Sequence, residues 1–460
     1  MILKSIKVFV MRYSLVILIL VLVFGACKDD DNVSFGVSLT KDNLRFKSVP
    51  GGAVMYYSLP VSDNVFGLQI RYKDARGSEV VKRSSYIGDS LIIDGFNKAE
   101  TNVPASVSLV DRNNNESEVI NVSFDTEESS TYSFFDNVKV GPYWGGFQVV
   151  YGGVSQSSGM VHVMYLGTNP LTHKEDTVLL KSYPITASGD TLNFVLQQDW
   201  DKTTVILRTE DYRGYRVRQE IWEDVKIYST EKLALTEDNF INKQDCSVEN
   251  EKEKIGAKYL FDGDMKGEQR LLSGKIPELY SFLGGPQIQN ECMIFDLGNV
   301  EVPAAVRIYG ALKSLEWPLY SIQYTSSVYE IFRGIYDDKL PCAVTLYGSN
   351  DKDSDNWVRL GSFKQESEAL PQDRWSERCN NGTENFFGYT TEKELKAALP
   401  ACAEILLPCH EEMSGFRYIK LVVDELFKYV YFAGATPMVT VINTQDYVAI
   451  QELEIYVKKD

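Results

Sequence analysis

Few residues in this chain have the types and spacing that chemistry needs. It has only three histidines, His162, His173 and His410. That scarcity argues against acid-base catalysis by imidazole and against a His-rich metal site. Apart from Cys27, the cysteines all follow residue 245: Cys246, Cys292, Cys342, Cys379, Cys402 and Cys409. In an exported protein they could form up to three disulfides, and the Cys402–Cys409–His410 spacing is not that of a zinc site. No Gly-x-Ser-x-Gly, His-Glu-x-x-His or phosphate-cradling Gly loop occurs. Carboxylates are abundant, at 64 Asp and Glu, so some pair stands at any spacing, and none is singled out for glycoside hydrolysis. The chemistry on offer is that of binding.

The first residues say where such binding would happen. Lys4, Lys7 and Arg12 precede an apolar run from Leu15 to Phe24, then Gly25, Ala26 and Cys27. A basic start, a short apolar core and small residues before a cleavage point describe an export signal, too short for a comfortable membrane span. With Cys27 at that point and Lys28-Asp29-Asp30-Asp31 after it, the segment resembles a bacterial lipoprotein signal of the Bacteroidetes type, although Phe24 stands where Leu is usual. The resemblance implies residues 1–27 as signal, lipidation of Cys27, a tether over 28–37, and a body anchored in the outer membrane facing the exterior.

The length suits about three domains, and 44% hydrophobic with 24% charged residues is ordinary globular composition. The formal net charge of -17 argues against nucleic acid or an anionic membrane as an electrostatic partner. A neutral polymer such as a glycan is compatible with it.

Short alternating segments at Ala53–Leu59, Gly67–Tyr72, Val80–Ser85, Ser90–Asp94, Ala105–Val110 and Glu118–Phe124 read as strands of a small β-sandwich. The turn formers Asp111 to Asn115 read as a hairpin between two of them. The pattern recurs. Gly51-Gly52-Ala53-Val54-Met55-Tyr56-Tyr57 is echoed by Gly145-Gly146-Phe147-Gln148-Val149-Val150-Tyr151, and Val107 to Asp111 by Val205 to Asp211. Residues 38–126 and 130–230 therefore read as two fibronectin-III-like modules joined by the acidic stretch Asp125–Thr131. The pair resembles the amino-terminal modules of Bacteroidetes polysaccharide-utilisation lipoproteins. Trp144, near the start of the second, reads as a core or edge-packing residue before a surface contact.

Residues 236–460 differ. Leu260-Phe261-Asp262-Gly263-Asp264, Ile294–Gly298, Val344–Asp351 with Trp357, Phe416–Leu421 and Ile450–Tyr456 stand in an order that resembles a discoidin (factor 5/8 C-type) domain. The whole is then expected to be all-β, two sandwiches followed by an eight-stranded jelly roll. The resemblance implies a structural calcium held by Asp262, Asp264 and Glu452, although Gly267 stands where a Thr ligand is usual and Gln269 where a Trp is.

Three connections, 311–341, 364–415 and 427–447, exceed a minimal discoidin domain, and long loops on a rigid sandwich are where binding resides. Discoidin domains that hold sugars stack a pyranose on loop aromatics and bond its hydroxyls with polar side chains. The candidates are Trp317, Tyr320, Arg374, Trp375, Phe387 and Tyr429, with Phe386, Phe427, Tyr431 and Phe432 beside them. Trp357 belongs to the core pattern. The expected function is non-catalytic glycan capture at the cell surface in support of a polysaccharide uptake complex. A protein-binding adhesin or scaffold and an accessory enzyme are the alternatives.

Overall fold

The computed structural model describes residues 35–459 except 157, 170, 198–199, 274–277, 286–287, 289–292, 313–338, 381–391, 434–435 and 441–446. Cys27, Trp317, Tyr320 and Phe387 lie outside the described residues. The chain is all-β, built of antiparallel sheets packed as sandwiches.

The first sandwich comprises β1 (Leu44–Val49), β2 (Gly52–Tyr57), β3 (Gly67–Lys73), β4 (Glu79–Arg83), β5 (Ser90–Asp94), β6 (Val103–Val110) and β7 (Ile120–Phe124). They form one sheet in the order β1-β2-β5 and a second in the order β4-β3-β6-β7. Period-two alternation decides what faces inward. Ala53 and Met55 of β2, Leu68 and Ile70 of β3, Ile93 of β5 and Val107 and Leu109 of β6 are fully buried between the sheets.

The second sandwich repeats this order with β8 (Val138–Tyr143), β9 (Gly146–Tyr151), β10 (Met160–Thr168), β11 (Glu175–Pro184), β12 (Asp190–Val195), β13 (Lys202–Glu210) and β14 (Arg216–Lys226). Its sheets are β8-β9-β12 and β11-β10-β13-β14, around Phe147, Val149, Val161, Val163, Val205 and Leu207. The echoed glycines have one job in both copies. Gly51 and Gly145 turn the chain at φ +78° and +66°. A Cβ on Gly52 or Gly146 would lie 1.8 or 1.9 Å from the carbonyl oxygen of Ile93 or Phe194, so only glycine lets the neighbouring strand come so close. The echoed aspartates also match: Asp111 Oδ1 accepts the N–H of Asn113 and Asn115, and Asp211 Oδ1 those of Arg213 and Tyr215. Each fixes its hairpin as an Asx-type turn.

The remaining strands are β15 (Thr230–Lys232), β16 (Phe282–Gly284), β17 (Met293–Glu301), β18 (Pro303–Gly310), β19 (Pro341–Ser349), β20 (Val358–Lys364), β21 (Ala401–Leu406), β22 (Phe416–Leu426), β23 (Tyr429–Ala433), β24 (Thr436–Thr440), β25 (Val448–Ile450) and β26 (Glu452–Lys458). Two four-stranded sheets, β15-β26-β18-β21 and β17-β22-β19-β20, enclose a core that includes Phe240, Phe295, Ile308, Leu346, Ile419 and Leu453. The pairs β16-β25 and β23-β24 lie apart from them.

Both junctions are built. At the first, the second module's hairpin sends Arg213 Nη1 to Asp74 Oδ2 at 2.8 Å, with the Asp74 side chain buried. The Arg76 guanidinium of the first module covers the Tyr215 ring at 4.2 Å. Burial alone would raise the Asp74 pKa, but Arg213 and the N–H groups of Ser78 and Arg76 outweigh it and hold the carboxyl below its ordinary value. Such a carboxyl contributes stability above the ordinary range that is lost as pH falls through it. Arg213→Ala leaves that carboxylate buried without its cation. Because the arginine is partly exposed, the expected weakening is about 1–3 kcal/mol, read as faster proteolysis at 125–131; unchanged cleavage would show that the ion pair does not hold the joint.

At the second junction Trp144 is buried among Tyr143, Ala304 and Cys409, and its Nε1 donates to Leu407 O at 2.8 Å. The sequence-based preference for a packed Trp144 holds, but it packs between units rather than inside one. The connecting segment itself becomes β15, pairing Thr230 with Lys458 and Lys232 with Tyr456.

Candidate functional site

The range 364–415 is not one loop, because β21 (Ala401–Leu406) crosses it and residues 407–415 lie at the other end of the sandwich. The first connection, the part of the second before β21 and the third share one end, and their roots are fastened to one another. Ala311 and Leu340 flank the first, Ala369 and Trp375 lie in the second, and Phe427 and Tyr447 flank most of the third; all pack in one cluster. Backbone bonds tie the roots pairwise: Phe427 N–H to Leu340 O at 3.1 Å, Lys428 N–H to Ser367 O at 2.8 Å, and Gln365 N–H to Cys342 O at 2.7 Å. The described roots of these connections are thus held together at one end of the sandwich.

The Asp262–Asp264 loop borders the same end. Leu312 N–H donates to Lys266 O at 2.9 Å, and Arg270 Nη2 donates to Leu312 O at 2.5 Å. Lys266 Nζ donates to the carbonyls of Leu395 and Lys396, each at 3.2 Å. Within the loop the predicted carboxylates take different roles. Asp264 is buried and accepts the N–H of Glu268 at 2.7 Å and of Gln269 at 2.9 Å, one on each oxygen. It closes the loop, which leaves it a poor ligand. Asp262 accepts from Asp264 N–H at 3.0 Å and from Gln269 Nε2 at 2.8 Å, which gives Gln269 its purpose.

Glu452 is buried, with one oxygen 3.0 Å from Gly263 N–H. Burial pushes its pKa up to about 8; Gly263 N–H and Lys232 oppose that, while Asp262 and Glu454 add to it. The adjacent Gln451 has a buried, unpartnered Oε1. A Cβ on Gly267, at φ +75°, would press to 3.2 Å from that oxygen, so this loop has room for glycine and not for the usual Thr. Among the described residues no three His, Cys, Asp or Glu side chains are grouped as a metal cage. Of the three predicted carboxylates, Asp264 is thus committed to the loop's own N–H groups, while Asp262 and Glu452 lie close enough to influence each other's charge.

The predicted aromatic site resolves only in part. Arg374 is buried, donating to Ala369 O at 2.9 Å and Lys428 O at 2.6 Å, with its guanidinium over Phe427 at 4.5 Å. Trp375 donates from Nε1 to Pro341 O at 2.8 Å and packs in the root cluster. Both side chains fasten the second connection, and neither is spread out for a ligand. Tyr429 opens β23, which pairs with β24 as Tyr429↔Thr440. None of the five described cysteines is in a disulfide; burial pushes the Cys342 and Cys409 thiols up to about 12, which keeps both protonated and unreactive.

Sequence reasoning also missed residues. Trp357 is half-buried on the outer face of its sheet, where Lys420 Nζ lies 4.9 Å from it and 5.1 Å from Tyr347. Trp200, Asp201, Lys202 and Asp224 line a cavity of about 670 Å³ in the second module. Asp224 reaches it from a bulged register at φ +54°. His162 sits between Ser182 Oγ at 2.7 Å and Glu210 Oε2 at 3.4 Å, but on strand positions of an outward sheet face, without a described cleft or oxyanion donors. No signal of spacing could have found these, because each is assembled across strands.

Similarities to known proteins are confined to part of the chain or to distant folds. No curated protein matches. Among solved structures, SusE-like protein BT2857 is 14% identical over 72% of this chain and 99% of its own, with a TM-score of 0.34. The two-domain fibronectin type-III segment of chicken tenascin is 10% identical over 39% and 97%, at 0.17, and chicken CNTN1 FN1–FN3 is 11% identical over 40% and 66%, at 0.16. Residues 39–126 match the family described as a domain of unknown function, DUF4959.

Proposed function

We propose that the protein is a cell-surface lipoprotein that captures a glycan without cleaving it, anchored in the outer membrane through Cys27 and serving a polysaccharide uptake complex. The observation that carries the reading is the joint rooting of the three long connections at one end of the discoidin-like unit. Two sandwiches joined by the Arg213–Asp74 ion pair come between that unit and the tether along the chain. The ligand is a saccharide whose apolar ring faces stack on Trp317, Tyr320, Phe387 and Tyr429, while Arg374 and Trp375 hold the shape of the surface. Calcium, implied by the discoidin resemblance, would be held by Asp262, Glu452 and the Gln451 carbonyl and would stiffen the loop beside this surface.

Affinity electrophoresis of residues 28–460 through gels containing neutral and acidic polysaccharides tests the reading. Retardation by at least one is expected, with Trp317→Ala abolishing it at unchanged thermal stability. Trp375→Ala is expected to lower retardation and stability together. No retardation on any polysaccharide contradicts glycan capture.

A further inference from the structure

The first sandwich has an apolar pole, and it is the pole nearest the tether. The strand registers define the two ends. Gly67 pairs with Val110, Gln69 with Arg83, Tyr56 with Ser90 and Leu44 with Tyr57 at one end. Lys73 pairs with Glu79 and Gly52 with Asp94 at the other, which is where Asp74 meets Arg213 of the second module. The chain enters at the first end: Phe35 and Leu39 are buried in the core, and Ser62 Oγ donates to Phe35 O at 2.9 Å.

At that entry pole, side chains that could have been polar at no cost are apolar. Val61 is 98% exposed, Ile87 81%, Tyr86 59% and Phe66 45%. Phe66 and Tyr86 meet, their rings 5.5 Å apart with Tyr86 N–H donating to Phe66 O at 2.9 Å, and Ile87 is next in the chain. Val61 stands on the β2–β3 connection at the same end, one residue before Ser62. Single exposed apolar residues need no explanation, but a gathered set at one pole marks an interaction surface. Lys41, Arg45, Arg83 and Arg112 are exposed at this end, and so are Asp42, Asp63, Asp89 and Glu116, so it carries no strong field of either sign.

Cys27 precedes Phe35 by eight residues, a reach of at most about 29 Å. On the reading that Cys27 carries lipid, this pole is held within that distance of the bilayer, while a free protein partner would have to find it there. We propose that Val61, Phe66, Tyr86 and Ile87 contact the membrane, dipping into the interfacial zone so that the protein stands with its opposite end outward. Aliphatic tips with a tyrosine at the rim suit that zone. A lipid chain and a second contact together hold orientation better than either alone. Contact is apolar, so it is insensitive to salt, in keeping with the acidic chain.

The test replaces the natural anchor, so that it does not depend on Cys27. Residues 28–460 with an amino-terminal His-tag are held on phosphatidylethanolamine/phosphatidylglycerol vesicles containing a nickel-chelating lipid. An environment-sensitive fluorophore is placed at Ile87→Cys or, as control, at Leu171→Cys, on the β10–β11 turn at the far end of the second module. The expected result is a blue shift and quenching by brominated acyl chains at position 87 only, persisting in high salt and lost when Val61→Asp and Phe66→Asp are added. No lipid quenching at 87, or equal quenching at 87 and 171, overturns the proposal. Labelled-lipid incorporation by the full chain, compared with Cys27→Ser, tests the anchor separately.

Discussion

Glu452→Gln is expected to make the protein more stable above neutral pH and to erase a pH dependence that the parent shows. The folded-state pKa of Glu452 is raised to about 8, whereas the unfolded chain titrates near 4.3. Between those values the folded state keeps a proton that the unfolded state has released, so stability falls as pH rises through the window and is level above it. The loss is on the order of a few kcal/mol. Burial sets it first, opposed by the Gly263 N–H and Lys232 and reinforced by Asp262 and Glu454. Glutamine keeps an oxygen for the Gly263 N–H and carries no charge, so its denaturation midpoint is expected to stay flat from pH 5 to 9 in EDTA. A flat parent profile under the same conditions would show that Glu452 ionises freely. Millimolar calcium is expected to restore the alkaline stability of the parent and not of Glu452→Gln; no effect of calcium would remove the ion from the account.

Trp144→Ala is expected to loosen the C-terminal unit from the second module. Truncating a buried tryptophan costs about 3–5 kcal/mol. Here the loss falls on a junction, because the ring packs against Ala304 and Cys409 of the C-terminal unit and donates to Leu407 O. Hydrogen exchange should accelerate in β15 and around residues 302–304 and 407–409, with the cores of both sandwiches unchanged. Trp144→Phe should fall between, keeping part of the packing without the donor. Exchange rates at β15 equal to those of the parent would mean that the strand pairing alone carries the joint.

The fibronectin-like part was legible because its constraints are local. Alternation placed Gly67–Tyr72 and Ser90–Asp94 where β3 and β5 occur, since one face of each strand must be buried. The glycine echo marks the same steric demand twice, at Ile93 and at Phe194. In the C-terminal part, segments such as Phe416–Leu421 fall on strands, but the sequence did not show what its loops do. Arg374 and Trp375 occupy a polar stretch without alternation, which looks the same whether a side chain faces a ligand or ties a loop. Only partners distant in sequence, such as Pro341 O and Lys428 O, decide it. Asp264 shows the same limit: its type suits a cation, but the N–H groups of Glu268 and Gln269 claim both its oxygens. Trp357 was assigned to the core by resemblance and instead stands half-buried just before β20, with Lys420 Nζ 4.9 Å from its ring.

The central claim is that ligand binding occurs at the end where the three connections are rooted. Hydrogen–deuterium exchange of residues 28–460, with and without the polysaccharide that best retards it, tests this most directly. The account predicts ligand-dependent protection in 313–338, 381–391 and 429–446, and none in the second-module cavity around Trp200–Thr204. Protection confined to that cavity, or absent from all three connections while the polysaccharide is bound, would contradict it.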